Sequence, residues 1–185
     1  MHPGRLTAWM APMTRRILAA VVVGSLAVAA PALAAPKANT ITAIGGMKVK
    51  ANAYVQDDQR WDADKYTVKS GATVTLRDKS TMGQPHSLSL IKKMPKGDQA
   101  IMECKACGPL MEAHEADPET MEAGKALVEA GAEGFDTGGD KTAAGDSIFL
   151  PPKGKVTFKV TAKKGAKLAF VCAIHPWMLG EIKVS

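Results

Sequence analysis

The chain has 185 residues, 46% hydrophobic and 23% charged, with a formal net charge of +6. That length suits one domain with additions, and the composition excludes a disordered or collagen-like chain. Aromatic residues make up only 5%, so a core must rest mainly on Val, Ile, Leu and Ala.

The first segment differs from the rest. Arg5, Arg15 and Arg16 precede an apolar run from Ile17 to Ala30, and Pro31-Ala-Leu-Ala34 follows. A basic start, a short apolar stretch and an A-x-A site predict a secretory signal peptide over residues 1–34. The run is too short to span a bilayer comfortably. No Cys follows the cleavage site, which argues against a lipid anchor. Thr14-Arg-Arg-Ile-Leu18 loosely resembles a twin-arginine signal. The expected product is residues 35–185, exported to the periplasm or another extracytoplasmic space, with no stable membrane span after cleavage. No nucleic-acid partner is expected.

Residues 35–40 read as a tail. From Ile41 to Tyr54 the pattern is strand-like, with Val49, Ala51, Ala53 and Val55 alternating. Asp57–Asp62 reads as a polar loop. Tyr66–Asp78 reads as a strand, a turn at Ser70-Gly71 and a second strand with Val74 and Leu76 on one face. Ser80–Pro85 is a loop. His86-Ser-Leu-Ser-Leu-Ile91 alternates again, and His86 is in phase with Leu88 and Leu90. It should point inward at the start of its strand.

The middle is acidic. Between Asp98 and Asp146 there are twelve acidic residues and three lysines, whereas the rest of the expected mature chain is strongly basic. Leu110–Asp117 and Pro118–Ala130 are rich in helix formers. Asp117 is a plausible N-cap with Pro118 in the first helical position, which predicts a helix stopping near Gly131. Gly134–Gly145 reads as a loop. The β pattern resumes at Ser147–Leu150 and continues through Val156, Phe158 and Val160. A turn at Lys163–Gly165 leads to Leu168, Phe170 and Cys172, and Glu181–Ser185 is the last strand. Short strands at regular spacing predict an all-β sandwich, interrupted by a partly helical insertion over about 98–146.

The chemistry gathers near the end of the chain, at Cys172-Ala-Ile-His175-Pro-Trp-Met178. A short loop between two strands keeps its ends close, so side chains three and six residues apart can turn toward one point. An upstream imidazole, His86, can join them. A lone inward His is usually a hydrogen-bonded core residue, and a buried Cys is most often a small hydrophobe. Together the four make a His₂Cys set with a weak axial Met, the ligand set of electron-transfer copper. Thiolate favours Cu(I) and imidazole suits Cu(II), so the set holds one copper ion in either oxidation state.

With this loop and Pro85-His86-Ser87, the sequence resembles the cupredoxins, type 1 blue copper proteins of the plastocyanin and amicyanin kind. The resemblance covers about 41–91 and 147–185. It implies a Greek-key β-sandwich with copper at one end and His175 near the surface as the electron's exit. Ser87 departs from the Asn common after the first His, and Ile174 from the Pro common before the second.

Cys104-Lys-Ala-Cys107 remains. In an exported chain such a pair is expected to form a disulfide. The spacing also suits a redox dithiol or a soft-metal site with Met102, Met111 or His114. Otherwise His114 reads as a solvated helix residue. The leading function is a soluble one-electron carrier and not an enzyme. Met82, Trp177 and Leu179 would form an apolar docking patch for redox partner proteins. The alternative is an extracytoplasmic copper-binding or delivery protein. A multicopper enzyme would need further His clusters, and too few histidines are present.

Overall fold

The polar–apolar alternation of the sequence becomes strands of a two-sheet sandwich. The computed structural model describes residues 39–128 and 134–185. The predicted signal peptide lies outside them. In chain order the elements are β1 (Thr40–Ile44), β2 (Met47–Lys50), β3 (Tyr54–Asp57), β4 (Arg60–Trp61), β5 (Lys65–Val68), β6 (Thr73–Asp78) and β7 (His86–Ile91). Then come helices α1 (Asp98–Glu103) and α2 (Cys107–Ala113). The strands resume with β8 (Leu127–Val128), β9 (Ser147–Leu150), β10 (Lys155–Lys159), β11 (Lys167–Val171) and β12 (Leu179–Val184).

One sheet has the order β10-β6-β1-β4, and the other β5-β12-β11-β7-β9-β8. Pairing is antiparallel except for β1 with β6 and β12 with β5. The chain passes from sheet to sheet between β4 and β5, β5 and β6, β6 and β7, β9 and β10, and β10 and β11, which gives the Greek-key β-sandwich expected from the sequence. Ile41, Val74, Leu76 and Phe158 from one sheet meet Leu88, Leu90, Leu168, Phe170 and Ile182 from the other in one buried core. Each of these side chains removes apolar area from water, and fully burying one contributes about 1.5–3 kcal/mol.

β7 is buried at all six positions. Its inner face enters the sandwich core. Its outer face lies under the described part of the 92–146 segment, where Ile91, Val171 and Ala173 pack with Leu110 and the Cys104 and Cys107 side chains. The return loop runs close along the end of β7. Gly139 N donates to Leu90 O at 2.9 Å, and Lys92 N donates to Gly139 O at 2.8 Å. A Cβ on Gly139 would stand 2.2 Å from Gly145 N, so this approach requires glycine.

Three expectations need correcting. The Ile41–Tyr54 pattern is not one strand. β2 and β3 form a separate hairpin turning at Ala51–Ala53, with Asn52 at φ 56, and Val49 and Val55 pair across it, 67% and 69% exposed. The loop expected at Asp57–Asp62 contains β4, which carries Trp61 into the core. The helix expected over 118–130 is absent from its described part. The Asp117 carboxylate accepts the amides of Glu119 and Thr120, as a cap would. Met121 then takes φ 57, and the left-handed turn ends the helical path. Leu127 and Val128 pair with Ile148 and Ser147 instead. Sheet-edge pairing outweighs local helix propensity there.

Candidate metal centre

The loop from Cys172 to Met178 is closed by its own backbone. Cys172 N donates to Met178 O at 3.0 Å, and Met178 N donates to His175 O at 2.8 Å. Two indoles brace it: Trp61 Nε1 donates to Met178 O at 3.1 Å, and Trp177 Nε1 to Gln59 O at 3.0 Å. Pro176 fixes one φ inside the turn. His86 arrives from the first position of β7, so sheet registry and loop closure together set the site.

The structure brings His86, Cys172 and His175 together. One donor atom from each lies within 4.8 Å of the others, and all three residues are buried. Cys172 Sγ is 3.6 Å from His175 Nδ1. The rings of His86 and His175 have centroids 4.9 Å apart. His86 Nδ1 is buried and has no hydrogen-bond partner. An orphaned buried acceptor costs about 1–3 kcal/mol unless something occupies it, so its presence beside a thiol and a second imidazole fits a metal ion. The chemistry also fits, since thiolate with two imidazoles suits copper. Met178 is 1% exposed and lies in the same buried core as Cys172.

Among solved structures, the chain is similar to reduced auracyanin from Roseiflexus castenholzii, with 20% identity, a TM-score of 0.42, and 81% of this chain and 99% of that one covered. It is similar to auracyanin A, a "blue" copper protein from Chloroflexus aurantiacus, at 18% identity and TM-score 0.41, covering 79% and 98%. A purple cupredoxin from Nitrosopumilus maritimus matches at 16% and TM-score 0.37, covering 78% and 98%. The chain resembles cupredoxins. No protein-family model and no curated protein matches it.

Electrostatics keep the site's imidazoles neutral, as metal ligation requires. Burial pushes His86 down to about 4, helped by His175 and opposed by Asp78 and Asp57. Burial also lowers His175, against Asp57. Burial pushes the Cys172 thiol up, while the amides of Ser87, His175 and Ile174 pull it back. Two of those amides are direct: Ser87 N lies 3.2 Å and His175 N 3.4 Å from Sγ. Hydrogen bonds of this kind around a cysteine sulfur tune the redox potential of a bound copper.

Groups that orient the ligands were missed in the sequence. His86 Nε2 is held 3.2 Å from Ser80 Oγ and 3.5 Å from Asp78 Oδ1, leaving Nδ1 to face inward. Asp78 also accepts the amides of Ser80 and Lys153, and Lys153 Nζ donates to Ser80 O. His175 Nε2 meets Gln84 Oε1 at 3.0 Å and Gln59 Nε2 at 3.1 Å. Second partners of this kind fix ring orientation. Gln59 is 1% exposed, and a Gln in a polar stretch gave no signal of that. His175 itself is 3% exposed, so the edge expected near the surface sits beneath two glutamine side chains. Of the expected docking residues, Trp177 is exposed while Met82 and Leu179 are half-buried. The Trp177 ring lies 5.4 Å from His175, edge to face.

His114 is the clearest correction. It was expected in solvent, and it is fully buried. Nδ1 lies 2.6 Å from Lys125 O and Nε2 lies 2.7 Å from Ser147 Oγ. Ser147 Oγ is 2.6 Å from Ser89 Oγ, which is 2.9 Å from Ser87 Oγ, and Ser87 Oγ accepts the Ala173 amide at 2.8 Å. Ser89 faces Ser147 across the β7–β9 ladder. Ser87 is two residues away, on the same face of β7. Strand geometry thus lines up three hydroxyls on the outer face, and the C-terminal end of α2 places an imidazole over them. Cys104 and Cys107 are joined in a disulfide, as expected.

Proposed function

We propose that the protein is an exported mononuclear type 1 copper protein, a one-electron carrier with His86, Cys172, His175 and Met178 as ligands. The observation that carries this reading is the orphaned, buried Nδ1 of His86 facing a buried thiol and a second neutral imidazole. Copper held there would supply a Cu(I)/Cu(II) couple. The protein's own residues do the rest. The closed loop and the two indoles keep Cys172 and His175 in place, and Ser80, Asp78, Gln84 and Gln59 hold the two rings. Burial excludes water. A donor set that moves little between oxidation states keeps the barrier to electron transfer low.

The surface proposed for redox partners is the exposed Trp177 together with the half-buried Met82 and Leu179. Transient electron-transfer contacts are small, so a limited apolar patch suffices. No helix among the described residues is long and apolar enough to cross a membrane, and the export reading rests on the 1–34 sequence pattern. The copper-delivery reading drew on the ten methionines and on the Cys104–Cys107 pair, and a disulfide there weakens the second of these two supports.

The test is to add Cu(II) to protein lacking residues 1–34 and record visible and spin-resonance spectra. An intense thiolate-to-copper band and a narrow hyperfine splitting are expected. Cys172→Ser should abolish both. Met178→Gln should keep copper bound and lower the reduction potential, because a harder oxygen donor favours Cu(II). A colourless protein, or an unchanged band in Cys172→Ser, rejects the site.

A further inference from the structure

We infer that His114 is a positioning residue for the Cys172 sulfur, acting through three buried serine hydroxyls by fixing the direction in which each donates. The inference rests on the copper reading above and names a device that sets the potential of that same site.

The argument follows the protons. At one end of the chain, Ala173 N–H can only donate, and it donates to Ser87 Oγ. At the other, Lys125 O can only accept, so His114 Nδ1 carries the proton of that 2.6 Å contact. In a neutral ring Nε2 is then an acceptor. It takes the Ser147 hydroxyl proton across 2.7 Å. With its proton committed, Ser147 must accept from Ser89, and Ser89 must accept from Ser87. Any other assignment leaves one link without a proton, either the 2.7 Å contact of Nε2 with Ser147 Oγ or an oxygen pair at 2.6 or 2.9 Å. All three serines and His114 are fully buried, so water cannot rescue a broken link. Chains that run in one direction polarise each other and strengthen.

The consequence falls on Cys172. Ser87 already touches the Cys172 sulfur through its amide, 3.2 Å away, and its hydroxyl, which accepts the amide of Ala173 next to Cys172, is the neighbouring donor that can turn to it. While His114 accepts at the far end, that hydroxyl is drawn toward Ser89 and away from the sulfur, which keeps its amide donors from Ser87 and His175. Remove the acceptor and the chain can reverse: Ser147 donates to Ser89, Ser89 to Ser87, and Ser87 to the thiolate. A further bond to sulfur withdraws electron density from the Cu–S bond and favours Cu(I).

Two experiments test this. In copper-free protein, imidazole ¹⁵N NMR should show neutral His114 with its proton on Nδ1. The Nε2–H tautomer would overturn the inference without touching the copper reading. In copper-loaded protein, His114→Phe, Ser147→Ala and Ser89→Ala should each raise the midpoint potential and shift the thiolate-to-copper band in one common direction. His114→Gln, which offers one acceptor and one donor, should return both toward wild type. In a Ser87→Ala background none of the three substitutions should move the potential further. Unchanged potentials in the single variants, or shifts that persist without the Ser87 hydroxyl, would overturn the proposal. Should His114→Phe fail to fold, the two small serine substitutions carry the same test. A wild-type protein that takes up no copper would sink the proposed function instead, and the tautomer measurement distinguishes the two failures.

Discussion

On the inner face of β7, His86, Leu88 and Leu90 enter the sandwich core. On its outer face, Ser87 and Ser89 lie equally buried beneath the 92–146 segment. The inner face is held by apolar area and carries His86, one residue of the candidate metal centre. The outer face is held by directed hydrogen bonds that end on His114. Burial alone therefore does not say what a residue contributes. A methylene on the inner face is interchangeable in kind with its neighbours, whereas each hydroxyl on the outer face has a fixed donor and acceptor.

The largest expected effect comes from breaking the inner face. Leu88 is fully buried in the core, and Leu88→Ala should cost about 2–5 kcal/mol, as large-to-small core changes do. Ser89→Ala removes a small group and two hydrogen bonds, and should cost about 1–3 kcal/mol. Urea unfolding of the copper-free protein would measure both. Equal costs would erase the distinction between the faces.

The inner face was legible in the sequence, and the outer face was not. Alternation of Leu88 and Leu90 placed His86 inward, and the Cys172–Met178 spacing placed three ligand types on one loop. Period-two patterning reports apolar side chains only, so buried serines read as solvent-facing. The hydroxyls of Ser87 and Ser89 become meaningful only when a segment distant in sequence covers them. His114 failed for the same reason, since a lone His in an acidic, Ala-rich stretch carries no mark of the Ser147 and Lys125 partners it finds in space. The 118–130 helix was misread because local propensity was all that the sequence displayed, while the decisive partner, β9, lies about twenty residues further on. Gln59 and Asp78, which orient the ligands' surroundings, have no spacing rule that a sequence could reveal.

Acid should sharpen the contrast, with a smaller effect. Burial lowers His114 below its ordinary value of 6.5, against the raising effect of its bond to Lys125 O. The folded state keeps the ring neutral while the unfolded state takes up a proton near 6.5. The unfolded state therefore binds more protons below that pH, and stability falls as pH drops from about 6.5 toward the lower folded value. Above that window the group contributes nothing to the pH dependence. His86 and His175 are lowered too, so copper-free protein should lose stability on acidification through all three. His114→Gln should remove one share and make the decline below about pH 6.5 shallower. An unchanged slope in denaturation measured across that range would mean that the outer face is not proton-sensitive at this ring.

The smallest effect expected belongs to the disulfide, which tests how much the outer cover depends on a covalent staple. Cys104 and Cys107 are three residues apart and pack with Leu110, Val171 and Ala173, on the side of β11 away from the metal centre. A ring this small restricts only a few residues of the unfolded chain, so its loss should cost about 2 kcal/mol or less. Replacing both with Ser should therefore lower the melting temperature slightly. The loosening should be local: amide exchange should quicken in α1 and α2 and stay slow in β7 and β11, whose inner-face packing is untouched. The blue band and a stoichiometry of one copper should persist, because the candidate metal cluster is His86, Cys172 and His175 and includes neither sulfur. Loss of a second equivalent of copper in that variant would show that the reduced pair binds metal, and would move the delivery reading ahead of the electron carrier. Loss of the blue band itself would show that the outer cover, and not the inner face alone, holds the ligand loop in place.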